Sequence, residues 1–482
     1  MGASVSTTGF AARFITLLLL AVLPSPCRAE DLQDAWAEAL GTNHALQASQ
    51  LGTAAAQRGI MAARAERLPT LTTTNAYTWL DNTPTFRSSL PLPGSPRPLT
   101  INLPFLNREF FFSSTLANVP LYTGGRTLAG IDAATAQTRA AHAQEVTAAM
   151  DLKLDVAQAY LNVLRGEKFV LLSRASVTSL RAHERDVTNL FREGIARRTD
   201  LLASQVSLAR AQQRVIQTTN ELETARAAYN RLLGRPLTSL TPLQEMALKN
   251  DFSLDGGGGR GERAADGSGA KPGQLPEALP DASLRLDSPP GPAQEAEIER
   301  LTAAAFQGRP ELLGFVHQAQ QFAAQARAAE SLKKPQVAVV GGFTHISDTH
   351  LASQDYWSGT IGATWLLCDA GRANRRAEAL RLRESQALKE RDDAAARIAL
   401  GVRSNWLSLQ SSRAALAVAR KAIAQADENL RQIRSRYREQ VATNTEVLDA
   451  ETLRTQIYTD YYNAFYAVLL DQFRLRRSAG ML

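Results

Sequence analysis

Thr123-Gly124-Gly125-Arg126 returns as Asp369-Ala370-Gly371-Arg372, and the register set there runs on. Tyr160-Leu161 meets Trp406-Leu407, Phe191-Arg192-Glu193 meets Tyr437-Arg438-Glu439, and Gly234 meets Gly480. Upstream, Asn43-His44-Ala45-Leu46 aligns with Arg309-Pro310-Glu311-Leu312, and Leu68-Pro69 with Lys334-Pro335. Pro335 stands 266 residues after Pro69 but Gly371 only 246 after Gly125, so the first half holds one insertion of 20 residues between those points. Self-similarity on this scale means one structural plan used twice.

The plan is legible in each half. Residues 31–66 and 297–333 are Ala- and Gln-rich with few breakers, which favours helix, and each meets a proline, Pro69 or Pro335. Beyond it the texture changes to β-formers. Trp357, Gly359, Ile361, Ala363 and Trp365 alternate with Ser358, Thr360, Gly362 and Thr364, one face apolar and the other small and polar. Strands are expected near 70–80, 108–120, 336–346 and 356–367, four in all, joined by loops of which the Pro-rich 82–107 is longest.

After Gly125 and Gly371 the apolar period becomes seven. Val402, Leu409, Leu416, Ile423, Leu430 and Tyr437 form one ladder; Val156, Val163, Val170, Val177 and Phe191 form its partner, with Glu184 the one polar rung. This is a coiled-coil seam, and small residues three positions along (Ala159, Gly166, Ser173; Ser412, Ala419, Ala426) permit close helix approach. Long helices are expected over about 127–190 and 373–437, each on the order of 100 Å at about 1.5 Å per residue. The ladders stop at 192–199 and 438–445, and Leu201, Leu208, Val215, Leu222 and Tyr229 begin a shorter returning helix. The halves, 30–234 and 297–482, are separated by 235–296, rich in Gly and Pro and read as a flexible linker or insert.

Composition excludes several functions. Lys and Arg number 54 against 47 Asp and Glu, a net +7 that is spread thinly rather than gathered, so no nucleic-acid footprint is expected. Two cysteines cannot build a disulfide scaffold, and no metal-ligand spacing is present; His345 and His350 read as loop residues. Gly256-Gly257-Gly258-Gly259-Arg260-Gly261 fits a dinucleotide-loop pattern, but no strand precedes it and no helix follows. No phosphate-binding loop with its lysine occurs, so neither cofactor nor catalytic chemistry is expected. Residues 1–29 read as a secretory signal peptide: Arg13, an apolar run from Phe14 to Leu23, and a small-residue exit at Ala29. Lipidation of Cys27 is the alternative, with Pro26 against it. A spanning helix needs roughly 20 apolar residues, and no stretch supplies them, so any membrane crossing is by strands. Phe110-Phe111-Phe112 then reads as membrane-facing or interface aromatics.

Four strands cannot close a barrel; three chains would supply twelve, and two only eight, too narrow for a wide aqueous lumen. With the duplicated helix–strand–strand–long helix–helix plan, the Gly-Gly-Arg and Ala-Gly-Arg junctions, and Val447-Leu448-Asp449-Ala450 after the second turn, the chain resembles the outer-membrane factor family, the TolC-like export channels, over all but 1–29 and 235–296. The resemblance implies an α+β membrane protein of the Gram-negative outer membrane, in contact with its lipid: a homotrimer with a 12-stranded β-barrel continued by a periplasmic α-helical coiled-coil barrel. It implies a periplasmic adapter protein and an inner-membrane pump, ABC exporter or proton-driven, exporting either small molecules or unfolded protein by type I secretion. A non-transporting periplasmic scaffold is the reading from another class.

The resemblance also assigns roles. The turns Gly194-Ile195-Ala196-Arg197-Arg198-Thr199 and Gln440-Val441-Ala442-Thr443 would meet the adapter at the tunnel tip, and Gly124, Gly125 and Gly371 would turn strand into helix. Gln440 departs from an expected glycine. Tyr437 and Asp200 match a pair that latches the tip, whereas Ala442 stands where an arginine-based link would be expected. Glu446 and Asp449, at i and i+3, share a helix face and with Asp200 would form acidic, cation-selecting rings under threefold symmetry. Helix capping and dipole alone would also explain Asp200 and Glu446.

Overall fold

The computed structural model describes residues 29–91, 93, 98–248 and 291–482. Nearly all of the expected leader, Cys27 included, and the Gly256-to-Gly261 run lie outside the described residues. In chain order the elements are α1 (Leu32–Thr42), α2 (His44–Ala65), β1 (Thr70–Trp79), β2 (Thr85–Leu90), β3 (Leu99–Pro104), β4 (Glu109–Tyr122), α3 (Arg126–Arg192), α4 (Arg198–Leu232), α5 (Pro292–Gly308), α6 (Pro310–Glu330), a short 3-10 turn Ser331–Lys333, β5 (Gln336–Ser347), β6 (Asp355–Thr364), α7 (Arg372–Arg438) and α8 (Asn444–Ser478). No described helix is long and apolar enough to cross a membrane.

Both copies of the plan are present, with one difference at their start. Each opening helix is two helices. Asn43 ends α1 and accepts the N–H groups of Ala45 and Leu46 at 3.0 and 3.1 Å, so it caps α2. Pro310, which cannot continue α5, does the corresponding work in the second half. The duplication reaches the backbone dihedrals: Gly124 and Ala370, Gly125 and Gly371, Gly194 and Gln440, and Gly234 and Gly480 form four matched pairs with positive φ.

Residues 48–147 and 310–396 form one compact unit. Its sheet is antiparallel in the order β1-β4-β5-β6. The register puts Leu71 opposite Ala117, Ala117 opposite Gly341, and Gly341 opposite Gly359. Following that row, one face gathers Leu71, Tyr77, Val339, Phe343, Trp357 and Ile361, with Phe343 and Trp357 ring centroids 5.4 Å apart. The other gathers Thr72, Thr74, Ser114, Thr344, Ser358 and Thr360, Ser114 and Thr344 being hydrogen-bonded at 3.0 Å, and has no charged residue within the strands. Of the phenylalanine triplet, Phe111 lies across from Tyr77 on the apolar face, while Phe110 and Phe112 lie on the other. A three-residue run in a strand cannot keep one face.

The stretch 82–107, expected as a loop, carries a second sheet, β2 paired with β3. Prolines on either side masked it in the sequence. Between them Phe86, Ser88 and Leu90 alternate with Thr85, Arg87 and Ser89, and Leu99, Ile101 and Leu103 alternate with Thr100 and Asn102, the period of two that makes a strand.

The other unit takes the segments ending at Gln47, 148–309 and 397–482. The heptad ladders are its core: Val156, Val163, Val170 and Val177 are buried, as are Val402, Leu409, Leu416, Ile423 and Leu430, each contributing on the order of 2 kcal/mol. The small-residue positions do bring helices together. A Cβ on Gly166 would lie 3.1 Å from Leu222, and Ser173 reaches Thr218 at 3.0 Å. Near the end of α3 the ladder fails at Glu184 and Phe191, and the seam passes to Leu180, His183 and Val187, all buried.

Only the two ends of the insert fall among the described residues. Residues 235–248 are described, α5 begins at Pro292 with Pro at its first turn, and 249–290 lie outside the described residues. Arg235 donates to both oxygens of Glu30 at 2.9 and 3.0 Å and to Glu38. Tyr160 hydroxyl meets the carbonyls of Glu30 and Gln244. A fork-shaped guanidinium suits this double carboxylate clasp, which ties the start of the described chain to the segment after Gly234.

Candidate functional site

The two reversals are the same object in backbone terms. α3 ends at Arg192; Gly194 takes φ 77, and the N–H groups of Ile195 and Ala196 both reach the carbonyl of Leu190. α7 ends at Arg438; Gln440 takes φ 61, and Val441 and Ala442 both reach Arg436. This is the left-handed helix stop in which a residue past the end satisfies orphan carbonyls. Glycine does it without cost and glutamine does not.

The following helices start differently. Thr443 caps α8: its hydroxyl accepts from the Glu446 N–H, and the Glu446 carboxylate accepts from the Thr443 N–H at 3.2 Å and hydroxyl at 2.9 Å. Those bonds hold the Glu446 carboxyl below its ordinary range. α4 has Arg197 at the same position and no side-chain cap. Glu446 is therefore engaged as a cap, the simpler of its two expected roles. Asp449 is exposed one turn on, and among the described residues neither it nor the Asp200 carboxylate has an ion-pair partner.

Behind the turns lies a buried polar network that the sequence reading missed. His183 on α3, 5% exposed, meets Asn444 Oδ1 on α8 at 2.7 Å, and Asn444 Nδ2 donates to the carbonyl of Asp200 on α4 at 3.0 Å. The ring of Tyr437 on α7 stands edge-on to His183, centroids 5.2 Å apart. One histidine thus touches or is bridged to all four helices of the paired hairpins. Two turns along α8, Glu451, 2% exposed, accepts from Ser179 at 2.8 Å and is ion-paired with Arg434. Burial, opposed by the Asn444 bond, lowers the His183 pKa, with Arg434 lowering it further and Glu451 and Asp186 raising it. Burial of this kind disfavours the charged imidazolium. The one signal for it in the sequence was the polar interruption of an apolar ladder at Glu184, next door.

Tyr437 and Asp200 are brought near each other, but no hydrogen bond joins their side chains among the described residues. Burial, then the charges of Asp200 and Asp186, raise the Tyr437 pKa. Ala442 is buried rather than presented, while Ile195 and Val441 are exposed. At the junctions, Gly124 and Gly125 take φ 66 and 93 and Gly371 takes φ 80; a Cβ on Gly124 would sit 2.7 Å from the Ser331 carbonyl. Ala370, at φ 54, stands where the first copy has glycine, and Asp369 caps α7 by accepting from Gly371 and Ala373 N–H. Among the described residues no group of three or more His, Cys, Asp or Glu is placed to hold a metal.

An open sheet with one apolar face, joined to long helices that fold back on themselves, defines a subunit of a membrane-spanning duct. The family described as outer membrane efflux protein matches residues 36–235 and 301–481, and the chain belongs to it. No curated protein matches the sequence. Among solved structures the chain is similar to VceC from Vibrio cholerae, at 16% identity over 93% of this chain and 96% of that one with a TM-score of 0.67. It is likewise similar to CmeC from Campylobacter jejuni (12% identity, 93% and 85% covered, TM-score 0.70). The open state of MtrE from Neisseria gonorrhoeae is a third (19%, 93% and 88%, TM-score 0.65). These likenesses confirm the duplicated α+β fold; the family places the chain in the outer membrane as an efflux channel and gives the scaffold reading no support.

Proposed function

We propose that three copies of this chain form one duct, the exit stage of a tripartite efflux machine, fed by a periplasmic adapter and an inner-membrane pump. The observation that carries it is the sheet. Among the described residues strands β1 and β6 are edges with no strand partner, and an unpaired edge within a bilayer is untenable because nothing there satisfies its N–H and C=O groups. Pairing β6 of each copy with β1 of the next closes twelve strands, apolar face to lipid and Ser/Thr face to the lumen. The reversals at 192–199 and 438–445 are then the pump-facing mouth and the adapter contacts, with Ile195 and Val441 its exposed apolar points. Asp449 and Asp200 face the passage as acidic rings, and Tyr437 with Asp200 helps hold the mouth shut.

Light scattering on detergent-extracted protein should give a mass of three chains, with cation-selective conductance in planar bilayers. A monomer that leaves the membrane without detergent and conducts nothing ends this reading. Tyr437→Phe with Asp200→Ala should raise single-channel conductance; an unchanged value removes the latch.

A further inference from the structure

The β2–β3 hairpin has an uncovered apolar face. Its register pairs Phe86 with Leu103, Ser88 with Ile101 and Leu90 with Leu99 on one side, and Arg87 with Asn102 and Ser89 with Thr100 on the other. Phe86, Leu90, Leu99 and Leu103 are 63%, 52%, 48% and 54% exposed. An isolated two-stranded hairpin is marginal in water at best and needs something to cover its apolar side. The second half of the chain has no counterpart, because the hairpin lies within the 20-residue excursion of the first.

We propose that the occupant of this face is the neighbouring copy of the chain, so that three hairpins form an apolar collar at the outer end of the barrel. The inference rests on the trimeric reading above, and two observations select the neighbour. The hairpin follows shortly after Trp79, the last residue of β1, and β1 is an edge of the four-stranded sheet, the edge that in the trimeric reading meets the next copy. The hairpin is also held rather than trailing. Asn107, just after it, donates its N–H to Asp348 and its side-chain amide to Thr349 at 3.2 Å, and Asp348 is 1% exposed in the β5–β6 connection. Leu80 N–H reaches the Arg108 carbonyl at 2.7 Å and Phe105 N–H the Pro84 carbonyl at 3.1 Å across its base. A rooted hairpin rising from a shared edge presents its apolar side to whatever lies along that edge. Contacts among such apolar side chains would bury area at the interface that a barrel of strands alone does not have.

The test uses the full-length protein in a Cys368→Ala background. Phe86→Cys, Leu103→Cys and the opposite-face control Ser89→Cys are each treated with a short bismaleimide in outer-membrane preparations, then run on denaturing gels. The collar predicts covalent dimers at Phe86→Cys and Leu103→Cys, several-fold above the Ser89→Cys control. A bimane label on Phe86→Cys, in proteoliposomes containing doxyl-labelled lipid, should be little quenched. Equal or absent crosslinking at both faces in a protein whose native mass is three chains overturns the collar alone. Strong quenching by the doxyl lipid also overturns it and makes lipid the occupant. A native mass of one chain overturns both the collar and the trimer beneath it.

Discussion

The two reversals share a backbone and differ in where each is weak. The first has glycine at its left-handed residue and an uncapped helix start at Arg197; the second has Gln440 in that conformation but a full capping box at Thr443 and Glu446. Duplication set one geometry, and the side chains then diverged around it. Strain sits on the exit from the long helix in the second copy, and on the entry to the return helix in the first. The network behind them is equally lopsided: His183 and Ser179 come from the first copy, Asn444, Glu451 and Arg434 from the second, so that each hairpin is completed by the other.

The largest test of that asymmetry removes the shared polar core. Glu451→Ala should cost about 2 kcal/mol, less than the roughly 3–5 of a fully buried pair because Arg434 is 35% exposed, read as a lower thermal midpoint of the helical signal. Equal loss from Asp449→Ala would break the distinction between an engaged and a free carboxylate. Acid should act next. The folded His183 pKa lies below its ordinary value near 6.5. The histidine's contribution is therefore fully present above that value and is lost as pH falls through it toward the folded one. Groups facing it are Glu451, Arg434, Asp186 and Tyr437. Conductance and thermal midpoint should both hold above about pH 6.5 and change as pH falls below it, and the change should shrink in His183→Gln.

Smaller effects separate the caps. Thr443→Ala should cost about 1 kcal/mol and Arg197→Ser return a similar amount, measured by hydrogen exchange in the first turns of α8 and α4. Smallest of all, Gln440→Gly should stabilise by about 0.5 kcal/mol, the relief of left-handed strain less the added chain entropy. If Gln440→Gly destabilises instead, its side chain has a partner in the assembled duct and the two turns are not strained versions of one another.

Much of this is legible in the sequence. The long helices fall within a residue or two of expectation because a seven-residue apolar ladder has few other readings, and the four main strands because Pro69 and Pro335 mark where helix must end. What escaped were features that depend on partners distant in sequence. Nothing local to Asn444 says that a histidine 261 residues away shares its amide. The β2–β3 hairpin was hidden by the prolines around it, and the run Phe110-Phe111-Phe112 divides between the two faces of its strand. Among the candidate residues, Glu446 takes part in a capping box that the spacing Thr-x-x-Glu makes legible; nothing local marks what Asp200 and Asp449 do, since a free carboxylate looks the same in any sequence.

The Ser/Thr face of the sheet has one more consequence. A wall that mixes Ser and Thr hydroxyls with Phe110, Phe112 and Leu116 and carries no charge does not sort a passing molecule by charge, so permeability would be decided at the mouth. A cell carrying a variant whose mouth stays open would then become leaky in the inward direction, admitting bulky polar antibiotics that the intact envelope turns away.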